Sequence, residues 1–337
     1  MSQVFAPSVA PEHPARLPPL RIGYSGDAAA DLLKDSDVLA VMAFGGAVAF
    51  RGAASSEVDP RFLRVGLEII GNPVVEVWRG NRTVESGREG RVRWSTDGDY
   101  GYFAIEIEES AHDGIAGAAE QAYRELAALI QASATPHVLR LWNYFDAINL
   151  GDGDDERYRR FCVGRAIGMS DSWQDRYPAA TAIGRRDGVR VVQIYALTAR
   201  CAGVQVENPR QVNAWLYPRR YGPTAPTFAR GMSTAAGQLL ISGTAAVVGS
   251  ASRHEDDVTA QLDETIANIA SLIGTAAGTS TVPGTGSVLK IYMRRPDDAA
   301  RVTARLREIM GEPDGLLILH GDICRRELLV EIDGVHD

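Results

Sequence analysis

The chain has 337 residues, of which 45% are hydrophobic and 23% charged, a composition typical of globular proteins and long enough for two packed domains. A formal net charge of −8 argues against nucleic acid and acidic membrane surfaces as partners, because both select basic proteins. The three cysteines, Cys162, Cys201 and Cys324, lack the spacing of zinc ligands, so we expect neither a disulfide framework nor a metal site.

The first twenty residues contain five prolines and no apolar segment of the kind that signal peptides carry. We therefore predict a flexible arm over residues 1–20. No apolar run approaches the roughly 18 residues that a membrane helix needs, so we expect a cytoplasmic protein without a membrane segment. Strands are predicted near residues 37–43, 74–78 and 92–95, where they would begin the first of two modules.

The rest of the chain shows one order of elements twice. The first copy is predicted as strand, helix, strand, helix and two strands at residues 101–109, 115–130, 137–142, 158–167, 180–184 and 189–199. The second copy follows at residues 238–248, 256–274, 287–294, 302–310, 315–320 and 327–333, with Gly274 expected to end its first helix. This agreement indicates an internal duplication. We predict an α+β (α/β-like) fold of two fused modules, residues 21–200 and 201–337, each a mixed sheet with helices packed on one face.

The two copies differ at one position in their last strand. Val192–Ile194 of the first copy corresponds to Val330–Ile332 of the second, so Gln193 occupies the place of Glu331. Only the second copy therefore carries a group that can transfer a proton there. The alternative is that Glu331 is an ordinary strand residue that faces solvent.

Three segments of the second copy resemble the Rid (YjgF-like) imine deaminase family: SGTA at 242–245, AQLDETIANIASLI at 260–273 and VEIDG at 330–334. The resemblance implies trimers with ligand sites in the clefts between subunits and a working role for Glu331, which matches the family's glutamate in the terminal strand. The arginine with which that family binds its substrate carboxylate has no counterpart before Cys324. This difference argues against simple imine deaminase activity.

Four further segments together are similar to the chorismatases: RLWNYFDAIN at 140–149, ERYRRFCVGR at 156–165, PAATAIG at 178–184 and ENPRQVNAWLYPRRYGPTAPTFARG at 207–231. Chorismatases are built on two fused Rid-like modules, so the resemblance implies cleavage of chorismate to pyruvate without metal or cofactor. It also implies that Tyr158, Arg165, Tyr217 and Arg230 bind the substrate.

The resemblance further suggests a branch of the family. A cysteine before the last strand, here Cys324, together with a glycine in the strand-entry segment, which we match to Gly237, resembles the branch that forms 3-hydroxybenzoate. For Cys324 the alternative is a small buried hydrophobic residue.

The residue types fit this substrate. Tyr158 and Arg165 are seven residues apart on a predicted helix and so share a face, whereas Tyr217 and Arg230 flank a proline-rich turn. Arginine suits the two carboxylates of chorismate because its planar group can bind both oxygens of a carboxylate. A desolvated glutamate has a raised pKa, which would let Glu331 protonate the enol ether, with Asp333 on the same strand face as a modulator.

Several alternatives remain open at this stage. The nearest is a hydrolytic chorismatase, which gives pyruvate and 3,4-dihydroxycyclohexa-1,5-diene carboxylate. Others are a non-catalytic metabolite-binding protein and an imine deaminase. The sequence leaves open whether the protein is a monomer or a homo-oligomer.

Overall fold

The structure is a computed structural model that describes residues 17–46, 58–169, 177–278, 282–311 and 315–337. Residues 1–16 of the expected arm lie outside these ranges. Leu17 and Leu20, at the end of the expected arm, are buried in the protein core, and the Tyr100 hydroxyl donates a hydrogen bond to the carbonyl of Pro18 at 2.8 Å. The chain is therefore attached to the body of the protein from residue 17 onward.

The N-terminal part forms a small sheet of its own. Its elements are β1 (Arg21–Ser25), α1 (Ala29–Leu32), β2 (Val38–Phe44), β3 (Phe62–Val65), β4 (Glu68–Ile69) and β5 (Val75–Arg79). Four of these strands pair in the order β1-β5-β2-β3. The strands predicted near 37–43 and 74–78 are thus present, but they do not belong to the sheet of the first module as expected. An apolar run predicts a strand without revealing its partner.

The first module follows the predicted order of elements. It comprises β6 (Glu85–Glu89), β7 (Val92–Thr96), β8 (Tyr100–Glu108), α2 (Gly114–Ala132), β9 (His137–Asp146), α3 (Arg157–Met169), β10 (Ala179–Arg185) and β11 (Val191–Ala199). These strands pair in the order β6-β7-β8-β11-β9-β10. One face of α2, which includes Ile115, Leu126 and Ile130, is buried against the sheet.

The second module has the same design. Its elements are β12 (Val204–Val206), β13 (Gly231–Ser233), β14 (Leu239–Ala245), β15 (Val247–Val248), β16 (Ala251–Ser252), α4 (Val258–Ala277), β17 (Ser287–Met293), α5 (Ala299–Met310), β18 (Gly315–His320), β19 (Asp322–Ile323) and β20 (Val330–His336). Its main sheet has the order β12-β13-β14-β20-β17-β18. Helix α4 continues through Gly274, contrary to the prediction, because Gly278 with a φ of 77° is the residue that ends it. No helix within the described residues combines the length and the apolar character needed to cross a membrane.

The pairing pattern confirms both the predicted fold class and the duplication. β9 and β10 are parallel in the first sheet, as are β17 and β18 in the second, and all other pairs of these two sheets are antiparallel. Gln193 pairs with Tyr144 in the first sheet, and Glu331 pairs with Tyr292 in the second. Each sheet gains a seventh strand from a distant part of the chain, since β19 pairs with β10 and β4 pairs with β18.

The small N-terminal sheet is a third, shortened copy of this pattern. Its strands β1-β5-β2-β3 are paired in the same senses as β14-β20-β17-β18. The three sheets share one buried core, to which Trp78, Tyr195 and Tyr292 contribute. By this correspondence Glu76, Gln193 and Glu331 are equivalent positions of the three copies.

Candidate active site

A cavity of about 490 Å³ lies between the first and second modules. Five of the seven predicted site residues line it: Tyr158, Tyr217, Arg230, Cys324 and Glu331. They come from the start of α3, the segment between β12 and β13, and the segment from β19 to β20. Residues far apart in the chain therefore meet in one cavity. Cys324 reaches the cavity because it directly follows β19, and β19 pairs with strand β10 of the first module.

Glu331 is the buried acid of this cavity. It lies on β20 between Ala245 and Tyr292 of the neighbouring strands, and its exposed fraction is 4%. Burial raises the pKa of its carboxyl to about 8, and the nearby charge of Asp333 contributes in the same direction. Arg230 is among the cations that oppose this shift. At neutral pH the protonated form of the Glu331 carboxyl therefore predominates.

Gly243, which sequence reasoning missed, is the glycine at the acid. It lines the cavity, and a Cβ atom at this position would lie 2.1 Å from Oε1 of Glu331. The register between β14 and β20 shifts next to it, between Ile241 and Thr244. Only a residue without a side chain leaves room there for the carboxyl group. The SGTA segment was the available signal, since it contains this glycine.

Gly237, the glycine matched from the sequence, does not line the cavity, so it is not the glycine beside the substrate space. It lies in the tight turn before β14 with a φ of 92°, and its N–H donates to the Thr234 carbonyl at 3.0 Å. A Cβ atom at this position would meet no other atom within 4 Å. The positive φ explains why glycine occurs there: the turn needs a backbone conformation that other residues adopt poorly.

Arg165 also does not line the cavity. Its side chain is buried behind the wall, where Nη2 donates to the Thr227 carbonyl at 2.9 Å and Nε contacts the Met169 sulfur at 3.3 Å. Tyr158 and Arg165 do share a helix face as expected, but seven residues advance the helix by about 10 Å. Arg165 therefore supports the segment that carries Arg230, without facing the ligand space.

Arginine and tyrosine side chains alternate along one wall. Arg230 donates to the Tyr217 hydroxyl at 2.7 Å. Arg325 lies over the rings of both Tyr217 and Tyr221, at 5.2 and 4.0 Å from their centroids, and Arg220 lies 5.0 Å from the Tyr221 ring centroid. Arg220 and Arg325 were not among the predicted site residues. The wall gives an acidic protein a local cationic surface suited to carboxylates.

Two polar atoms in the cavity wall have no partner among the described residues. They are Nε of Arg230 and Oε1 of Gln211, and both are buried. Buried polar atoms without partners are rare in folded proteins and usually indicate a missing ligand or water. One is a donor and the other an acceptor, so the wall can bind a carboxylate and a hydroxyl group.

The thiols near the cavity are neutral. Burial raises the pKa of Cys324 well above its ordinary range, and it raises that of Cys162 to about 11. Tyr158, whose hydroxyl is hydrogen-bonded to the Cys162 thiol, also has a raised pKa through burial. Cys324 thus presents an uncharged, compact group to the cavity and not a thiolate nucleophile. Within the described ranges, no three His, Cys, Asp or Glu side chains are grouped to hold a metal ion.

The two positions equivalent to Glu331 are occupied by protein contacts. The Gln193 amide donates to the Arg64 carbonyl at 2.9 Å and to Glu106 at 2.7 Å. Glu76 forms a buried ion pair with Lys290 at 2.6 Å. Neither side chain lines the cavity, so the duplication leaves one site with an acid, as the comparison of the two sequence copies predicted.

Comparisons with known proteins identify relatives of this chain. A relative from Streptomyces hygroscopicus described as 3-hydroxybenzoate synthase is 36% identical over 280 residues, which cover 78% of this chain and 81% of the relative. A second, described as chorismatase, is 34% identical over 272 residues, covering 77% and 78% of the two chains. The chain belongs to the chorismatase family. A crystal structure of a chorismatase matches 96% of the chain with a TM-score of 0.81 and 31% identity, and covers 99% of that structure. The profile described as "Chorismatase FkbO/Hyg5-like, N-terminal" matches residues 76–198, which contain most of the first module.

Proposed function

We propose that the protein cleaves chorismate to pyruvate and 3-hydroxybenzoate, with Glu331 as the acid catalyst. The observation that carries this proposal is a buried carboxyl group, protonated at neutral pH, in a cavity with a cationic wall. Enol-ether cleavage requires this combination, because a proton must reach the vinyl carbon of a substrate that is itself a dianion. The names of the family members, chorismatase and 3-hydroxybenzoate synthase, support the same reaction.

The reaction begins when Glu331 protonates the vinyl CH₂ group, which becomes the methyl group of pyruvate. The positive charge that develops on the adjacent carbon is then captured by the C4 hydroxyl oxygen and not by water, and the hydroxyl gives up its proton as a cyclic ketal forms. The C4–oxygen bond breaks and C3 loses its proton, so the ring becomes aromatic and the former vinyl carbon remains as a hemiketal on the C3 oxygen. The bond between that carbon and the C3 oxygen then breaks, which releases pyruvate, and the two protons lost by the ring return to Glu331 and to the phenol oxygen. The atoms of chorismate are then divided between pyruvate and 3-hydroxybenzoate without added water.

The cationic wall provides the substrate contacts of this proposal. Arg230 has an unpartnered Nε and is held by Tyr217, so it is placed to bind one substrate carboxylate. Arg325, stacked on Tyr217, is placed to bind the other. The unpartnered oxygen of Gln211 can accept a hydrogen bond from the ring hydroxyl.

The experiment that tests the proposal is product identification after incubation with chorismate alone in the presence of a metal chelator. We expect equal amounts of pyruvate and an aromatic acid that co-elutes with 3-hydroxybenzoate in liquid chromatography. The non-aromatic diol would instead indicate the hydrolytic reaction. If no pyruvate forms but benzoates raise the melting temperature, the protein is a binding protein and not a catalyst.

The activity should depend on pH through the proton of Glu331. Because the protonated form is the active one, kcat/KM should be level at neutral pH and should fall about tenfold per pH unit above a midpoint near 8. Initial rates of pyruvate release across this range measure the midpoint. A rate that rises through pH 8 would contradict the acid role.

Cys324 is expected to influence the product more than the rate. The neutral thiol occupies space beside Glu331 through which water could otherwise reach the intermediate. The variant Cys324→Ala should therefore form some of the hydrolytic diol. The total amount of pyruvate released should change by less than about fivefold. Chromatographic product ratios provide the measurement. Cys201→Ala is the matched control, because this half-buried cysteine does not line the cavity. An unchanged product ratio in Cys324→Ala would remove the thiol from the choice between branches.

A further inference from the structure

The positive charges around the cavity have opposite effects on substrate binding and on the protonation of Glu331. Arg140, Arg230 and Arg294 lower the pKa of Glu331, and a cationic wall is needed to bind a dianionic substrate. The same cations therefore favour loss of the proton that Glu331 must donate. A site of this kind needs a compensating negative charge that does not itself take part in substrate binding.

We propose that Asp333 is a positioning residue that supplies this charge: held as an anion where the three sheets meet, it keeps the neighbouring Glu331 carboxyl in its proton-bearing form. The proposal rests on the proposed role of Glu331 as the acid and extends it to a group that does not touch the substrate, since Asp333 does not line the cavity.

The surroundings of Asp333 are built to hold an ionised carboxylate. It is fully buried, and its Oδ2 accepts hydrogen bonds from the hydroxyls of Tyr292 and Thr181 at 2.9 Å each and from the indole of Trp142 at 3.2 Å. The guanidinium of Arg140 lies 3.2 Å from the same oxygen. Donors that converge on one carboxylate oxygen stabilise the charged form of a carboxylate, and they all reach Oδ2, since Oδ1 of Asp333 has no hydrogen-bond partner among the described residues.

The charge lies close enough to act on Glu331. The two residues are two positions apart on β20 and so project from the same face of the strand. The Thr181 hydroxyl donates a hydrogen bond to Asp333, and it lies 3.3 Å from the position that a Cβ atom on Gly243 would take, which is itself 2.1 Å from Oε1 of Glu331. A like charge on the same face of the strand disfavours ionisation, and among the neighbouring charges Asp333 contributes most to raising the pKa of Glu331.

The other charged groups around this pair leave the effect of Asp333 in place. Lys290 is the cross-strand neighbour of Asp333 and interacts with its charge, but the Lys290 ammonium also forms an ion pair with Glu76 at 2.6 Å. Arg140 lowers the pKa of Glu331, but by less than Asp333 raises it, and it also donates to the Gly334 carbonyl and to Thr181. Cys324 on the cavity side is uncharged.

The test follows the proton on Glu331 directly by infrared titration of its protonated carboxyl band. The band is assigned by difference from the same protein carrying Glu331→Gln, so the measurement requires no turnover. In Asp333→Asn the midpoint should fall by about one pH unit from that of the parent protein, with the basic limb of kcat/KM shifting equally. An unchanged midpoint in this variant would overturn the proposal.

Asp99→Asn is the matched control. Asp99 is an equally buried aspartate that is paired with Arg200 at 3.0 Å, but it is not among the groups that shift the pKa of Glu331. We expect this variant to lose stability and to retain the parent midpoint within a few tenths of a pH unit. An equal fall in Asp99→Asn would mean that general loosening of the core moves the titration, and would also overturn the proposal.

If Asp333→Asn does not fold, infrared spectra of the parent protein labelled with ¹³C-aspartate still test whether Asp333 is ionised. The proposal requires that no aspartate is protonated between about pH 6 and about pH 9, so a shifted carboxylic band in that range contradicts it. Failure of the proposed function can be distinguished from failure of this proposal. In that case no pyruvate would form from chorismate, whereas the infrared titrations could still be measured.

Discussion

Replacing Glu331 with glutamine is expected to abolish pyruvate release from chorismate, with a loss of at least about a thousandfold in turnover. Glutamine has nearly the same shape and fills the same space against Gly243, but it has no proton to give to the vinyl carbon. The rate can be followed by coupling pyruvate formation to lactate dehydrogenase and by chromatography of the aromatic product. Full activity of the variant would remove Glu331 from the mechanism.

The same variant should remain folded and should be more stable than the parent protein at alkaline pH. The carboxyl of Glu331 has a pKa of about 8 when folded, against 4.5 for an ordinary glutamate. Between these values the unfolded chain releases a proton that the folded protein keeps, so the free energy of unfolding of the parent falls as pH rises. Glutamine removes this dependence, and the gain by pH 8 should amount to a few kcal/mol at most. Urea unfolding at two pH values measures this difference.

Gly243→Ala is expected to lower kcat by at least about a hundredfold. The new Cβ would lie 2.1 Å from Oε1 of Glu331 and 3.3 Å from the Thr181 hydroxyl, so the carboxyl must move away from its present position. A shift of about 1 Å in a catalytic group is sufficient for a loss of this size. Because the cationic wall is unaffected, KM should change much less than kcat. Steady-state kinetics with chorismate separate the two parameters.

Gly237→Ala is the control for this prediction. The added methyl group meets no atom within 4 Å, but the φ of 92° is unfavourable for alanine. We therefore expect a loss of about 1 kcal/mol in stability with kcat unchanged. If the two variants showed the reverse pattern, Gly237 and not Gly243 would be the glycine that acts in catalysis.

The regular elements could largely be read from the sequence because they depend on local spacing. The apolar positions of α2 and α4 recur every three or four residues, and the two copies share one order of elements, which was enough to align Gln193 with Glu331. The third sheet could not be read in this way. Two of its four strands, β2 and β5, were predicted, whereas β1 and β3 were not. Which strands pair is decided by contacts between segments far apart in the chain, and α1 is too short to show a periodicity.

Most of the residues that a motif identified line the cavity, whereas the sequence could not show which glycine or which end of a helix would reach it. Gly237 and Gly243 both lie close to the entry of β14, and only the packing of β20 shows which of them touches the acid. Arg165 shares a helix face with Tyr158, yet its distance along the helix axis brings it to Thr227 and away from the cavity. Arg325 became part of the wall only through its stacking on two tyrosines.

The sequence by itself determined the duplicated α+β modules and the presence of a carboxylate in only one of the two sequence copies, since both depend on the order and spacing of residue types. The tertiary structure decided that Glu331 is protonated and that its glycine partner is Gly243. Those properties depend on desolvation and on charges such as Asp333 and Arg140 acting through space, and they arise only when strands from different modules are packed together.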